Sequence, residues 1–156
     1  MRRTLGILVL LLGLAGCGDG EPSRGDVQTD PTPEITQVDL LTGTAAGGSV
    51  TSTATVLPDD AAVQDYAAQF RNDELGGEVV AAADDADVPD GQQLAAAVVA
   101  VGCEVPTDVE GTYDGGAVQV SATVPRSDRQ CLAPITSVAL MLVPDWISGA
   151  PQAGGR

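Results

Sequence analysis

The side chains able to do chemistry in this chain are carboxylates and three cysteines, and little else. It carries 22 aspartates and glutamates against seven arginines, with no lysine and no histidine. Missing histidine excludes Ser-His-Asp and Cys-His nucleophilic catalysis and His-ligated zinc. Missing lysine excludes Schiff-base chemistry and a phosphate-loop lysine. The Gly47-Gly48 pair, with no lysine behind it, therefore reads as a turn. What remains is acid–base work by paired carboxylates or cation binding by clustered ones.

The densest acidic run is Asp84-Asp85-Ala86-Asp87-Val88-Pro89-Asp90-Gly91. Calcium wants about six to eight oxygen ligands, which clustered carboxylates can supply. An EF-hand loop begun at Asp85 fails twice, because its third ligand position falls on Pro89 and its final glutamate on Ala96. No regular metal site is expected; Asp84, Asp85, Asp87 and Asp90 are candidates for an irregular cation site on what otherwise reads as a solvated turn. Asp108, Glu110 and Asp114 form a looser second acidic loop. A hydrolase built on carboxylates alone needs an acid and a base about 5–10 Å apart, and glycosidases are the model case. Asp59, Asp60, Asp84, Asp85 and Glu104 are the residues that would supply such a pair. Only four aromatic residues, Tyr66, Phe70, Tyr113 and Trp146, are present to line a sugar cleft. No enzymatic activity and no cofactor are expected.

The N-terminus points to an address. Met1-Arg2-Arg3-Thr4 is a short positive segment, and Leu5 to Leu12 is an apolar run of signal-peptide length, too short to span a bilayer. The following Leu14-Ala15-Gly16-Cys17 resembles the lipobox of bacterial lipoproteins, a leucine, two small residues and a cysteine. The resemblance covers residues 1–17 alone. It implies that residues 1–16 are a signal peptide and that Cys17 receives a diacylglyceryl thioether and becomes the first residue of the mature protein. One acyl chain binds a membrane marginally and two anchor it stably, so the resemblance implies a protein lipid-anchored on the extracytoplasmic face of the cell membrane. With Cys17 lipidated, Cys103 and Cys131 are left as an even pair in an oxidising compartment, and a disulfide is expected. Closing that loop would stabilise the fold by roughly 3–4 kcal/mol in the chain-entropy model.

The formal net charge is −15, and every acidic residue lies after Cys17. No basic patch exists to collect phosphates, which argues against nucleic acid as a partner. Anionic lipid headgroups would repel the same surface, so membrane attachment rests on the acyl chains. A protein of the cell envelope is the expected kind of partner.

The elements that position these residues read as follows. Residues 17–34 are Gly-, Pro- and acid-rich and form a flexible tether. Val38 to Thr42 and Val50 to Leu57 alternate in polarity around a turn-rich Gly43–Ser49, which predicts a β-hairpin. Pro58-Asp59-Asp60 starts a helix carrying Val63, Tyr66, Ala67 and Phe70 on one stripe. Asn72-Asp73-Glu74 starts a second with Leu75, Val79 and Ala82 or Ala83 inward, weakened by Gly76-Gly77, which leaves a loop or strand as the alternative. Leu94 to Val101 is a strand apolar on both faces, its alanines leaving a helix as the alternative; Glu104 to Gly116 is a loop, Val118 to Val124 a half-exposed strand, and Ile135 to Val143 a strongly apolar one. Trp146 just beyond it is either a plug at the core edge or, if exposed, a binding anchor. The whole predicts an α+β domain over residues 35–147, with a single antiparallel sheet of about five strands, one or two helices on one face and one disulfide, followed by a flexible tail at 148–156. The functional expectation is a membrane-anchored lipoprotein acting as a non-enzymatic binding or interaction module; the alternative is an acidic calcium-binding or carboxylate-dependent hydrolytic domain.

Overall fold

A computed structural model describes residues 34–128 and 130–148. Cys17, the signal segment, nearly all of the tether and the tail from 149 onward lie outside the described residues.

Two strands set the architecture because they are apolar on both faces. β3 (Gln92–Gly102) buries every residue from Leu94 to Ala100, and β6 (Ile135–Pro144) buries Thr136 to Met141 and Val143. Such strands must lie in the middle of a sheet covered on both sides. They do: β1 (Thr36–Thr44), β6, β3 and β2 (Thr55–Leu57) form an antiparallel sheet in the order β1-β6-β3-β2. On one face Leu94, Ala96, Val98, Val138 and Leu140 meet two helices, α1 (Asp60–Ala67) and α2 (Asp73–Asp85). On the other, Ala95, Ala97, Val99, Ala139 and Met141 meet the hairpin of β4 (Asp108–Asp114) and β5 (Ala117–Thr123) through Val118 and Val120. The fold is α+β with two antiparallel sheets, of four and two strands, where the sequence suggested one.

The helix starts form as their caps dictate. Asp59 accepts a hydrogen bond from the Ala62 N–H at 2.9 Å, and Asn72 accepts one from the Glu74 N–H at 2.7 Å. α1 ends at Ala67, so Phe70 reaches the core from the connection, edge-on to Tyr66 at 5.9 Å. α2 is continuous through Gly76-Gly77. A Cβ on Gly76 would lie 3.3 Å from the Ala67 carbonyl oxygen, so glycine there lets the two helices approach. Leu75 and Val79, fully buried, hold α2 down.

Tyr66 is buried in this layer, and its hydroxyl makes no hydrogen bond within the protein. Burial pushes the phenol well above its ordinary pKa; the nearby Gln69 amide opposes this, although it donates to the Tyr66 carbonyl at 2.9 Å and not to the phenol.

Two expectations are corrected. The hairpin expected between Val38 and Leu57 does not form, and its two arms end up on opposite edges of the sheet. Local alternation identified extended chain, but β6 and β3, apolar on both faces, displace the half-polar arms from one another. The crossing segment is extended and shared: Ala54 donates to Val118 and Val120 to Ser52, on β5, before Thr55–Leu57 pair with β3. One run of chain thus belongs to both sheets, the usual way to turn a corner between them. The loop expected over residues 104–116 contains β4. Gly115 and Gly116, with φ of 59° and 89°, make the two-residue turn that joins it to β5, a conformation that favours glycine at both positions.

Cys103 and Cys131 are bonded as expected, with Cα atoms 5.4 Å apart. The bond joins the residue after β3 to the loop before β6, beside the Gly102–Ile135 pairing.

Candidate functional site

Chemistry-bearing residues converge at the opposite end of the main sheet, where β3 begins and β6 ends. A cleft of about 270 Å³ opens there between the starts of α1 and β3 and the end of α2. Its apolar floor is Leu57, Val63 and Leu94, its rim carries Asp59, Asp60 and Asp84, and Gln92 and Gln93 close one side. Gln92 Oε1 is buried there and accepts no hydrogen bond from the protein. A larger depression, about 570 Å³, lies between α1 and α2, but Asp73 is the only charged residue lining it. The smaller cleft therefore holds more of the chemistry.

Gln93 links the cleft to the turn after β6. Its amide nitrogen donates to the carbonyls of Pro144 at 3.1 Å, Asp145 at 3.0 Å and Ile147 at 2.8 Å. Two N–H groups thus serve three acceptors, so at least one hydrogen is shared. The Asp145 N–H donates to Gly91, and Ile147 is buried among the residues under the hairpin. Held at these points, the turn carries Trp146 outward, 58% exposed. Its indole meets Tyr113 of β4 edge-on, with ring centroids 5.1 Å apart and planes at 79°. Ile147 fills the core position, so Trp146 is not the plug; it is an exposed aromatic on a braced turn.

The structure sorts the residues singled out in the sequence. Asp59, Asp60 and Asp84 come together at one cleft, with the Asp59 carboxylate also capping α1. Glu104 follows the far end of β3, roughly 33 Å along the strand from Gln92 at about 3.3 Å per residue, too far to pair with them. Asp85 ends α2, and Asp87 and Asp90 are exposed in the connection to β3. Among the described residues no three carboxylates or thiols converge as a metal-binding set. Asp108, Glu110 and Asp114 alternate along β4, exposed on a strand and not gathered in a loop. Cys17 lies outside the described residues. Gln93 and the Tyr113–Trp146 contact were not foreseen. A polar residue opening an apolar run, level with Val143 across the sheet, was the one trace of the former.

No protein-family model matches the chain, and no curated protein or solved structure matches it. Function must come from the site. Among the described residues no helix is long and apolar enough to cross a membrane.

Proposed function

We propose that the protein is an extracytoplasmic lipoprotein, anchored through lipid on Cys17, whose folded domain is a non-enzymatic binding module for another component of the cell envelope. The Leu14-Ala15-Gly16-Cys17 motif behind a charged and then apolar N-terminus supports the anchor. The observation that carries the binding role is the braced turn: an indole left 58% exposed where a neighbouring isoleucine fills the core. Large rigid aromatics of this kind dominate the energetics of protein interfaces. The anchor is tested by labelling cells with an alkyne fatty acid: label on the wild-type chain and none on Cys17→Ala is expected, and equal label on both refutes it. The binding role is tested by crosslinking the anchored chain in cells and identifying stoichiometric partners. Their absence at every crosslinking position refutes it.

A second reading has one observation in its favour, the three carboxylates around the cleft. A carboxylate-dependent hydrolytic role through Asp59, Asp60 and Asp84 predicts that a glycan substrate is turned over and that Asp84→Asn abolishes the turnover. No turnover by the wild-type chain removes it.

A further inference from the structure

Two ring pairs occur among the described residues, and they differ in kind. Tyr66–Phe70 is buried between α1 and the main sheet, whereas Tyr113–Trp146 lies on the surface, with Tyr113 37% and Trp146 58% exposed. An isolated exposed apolar residue needs no explanation. This pair does, because three independent restraints hold the indole out: the Gln93 amide on the carbonyls around it, the Asp145 N–H on Gly91, and Ile147 in the core. A turn so fixed loses little freedom on binding.

The charge around the pair is of one sign. Asp145 precedes Trp146, and Asp90 precedes the Gly91 that accepts from the Asp145 N–H. The described arginines lie elsewhere, Arg71 against Gly47 beyond the other end of β3 and Arg126 in the connection between β5 and β6. Aromatic faces and carboxylates together select for a cation, and guanidinium is the one that also stacks flat on a ring. The pairing of Thr36 with Leu142 brings the chain into the sheet at this same end. The 17 residues from Cys17 to Pro33 span at most about 60 Å, so an anchored domain presents this end within that reach of the bilayer.

We propose that the Tyr113–Trp146 turn docks an arginine-bearing segment of a membrane-proximal partner protein, with a guanidinium stacked on the exposed ring and its charge met by the carboxylates around it. The inference rests on the binding-module reading and names the partner's chemistry.

Trp146 is the sole tryptophan, so its emission reports on this turn alone. Titration of the folded protein with hexa-arginine at physiological salt should change that emission saturably, and hexa-glutamate should not. Asp145→Asn should weaken binding several-fold, towards about tenfold. Asp65→Asn, the same charge change on α1 across the sheet, should not. Tyr113→Ala should weaken it comparably, and Asp145→Asn, at an exposed position, keeps the test sound if that variant folds poorly. Unchanged emission overturns the proposal, as does equal weakening by Asp145→Asn and Asp65→Asn, which would mean diffuse attraction to an acidic surface. In cells, a photocrosslinker at Ser148, exposed beside the turn, should capture from the anchored chain a protein that hexa-arginine displaces, and one at residue 65 should not. Capture from residue 65 alone sinks this inference and leaves the binding module standing; capture from neither sinks both.

Discussion

Replacing Gln93 with leucine keeps the side chain's bulk and removes the donor that serves three carbonyls. Two of those contacts, to Pro144 and Ile147, are partly buried, and the third, to Asp145, is exposed. An exposed carbonyl turns to water at little cost, so the two partly buried bonds decide the magnitude. At about 1 kcal/mol net for each, with a further charge for any carbonyl left dry, Gln93→Leu should destabilise by about 2–3 kcal/mol. Urea unfolding followed by circular dichroism measures this. The same variant carries a second readout, because Trp146 sits between the anchored carbonyls: its steady-state fluorescence anisotropy should fall as the turn loosens. Loss of stability with unchanged anisotropy would mean that Ile147 and the Asp145–Gly91 bond suffice to hold the turn. Loss of neither would refute the bracing argument, and with it the claim that the indole is displayed on purpose.

Replacing Cys103 and Cys131 together with serine should cost roughly 3–4 kcal/mol, and alkylation of the intact chain should add mass to neither cysteine until it is reduced. Tyr66→Phe removes a buried hydroxyl that makes no hydrogen bond and should stabilise by about 1 kcal/mol; destabilisation of that size would show that the hydroxyl is bonded after all. Because burial raises the Tyr66 pKa, the folded state keeps a proton that the unfolded chain releases above about pH 10, so stability is full below that pH and falls above it; melting curves across that range should be flatter for Tyr66→Phe. At Gly111 a Cβ would lie 2.5 Å from Ile35 Cγ2, so Gly111→Ala should destabilise by about 1–3 kcal/mol. Ile35→Ala in the same chain should recover part of that loss, and a double-mutant cycle without coupling would refute the contact.

How far the sequence reveals this fold depends on the range over which each signal acts. Caps and strands with both faces apolar are local statements, and they hold: Asp59 and Asn72 start the two helices, and β3 and β6 form the sheet's centre. Pairing is not local. The alternation of residues 50–57 was legible, but its partners are β5 and then β3, chosen by which strands need cover on both sides. Gly76 shows the same limit, since its helix penalty is a property of the residue while the nearby Ala67 carbonyl that favours glycine is a property of the packed structure. At the site, the acids were visible as types and their convergence was not. Gln93 carried no periodic signature, because an amide opening a strand looks the same whether it faces water or three carbonyls.

The strand order also has a consequence in time. Among the described residues the first strand to be made, β1, pairs only with the last, so that Thr36 meets Leu142, and β3 too finds its principal neighbour in β6. Until Ile135 to Pro144 is available, β1 has no edge to join and β3 lacks its main partner. Long loops must close before those contacts repay the lost entropy, and topologies of this kind fold slowly. A nascent chain of this sequence therefore stays open until its last described strand arrives, and the final ten residues of the sheet act as the closing step for the described strands that precede them.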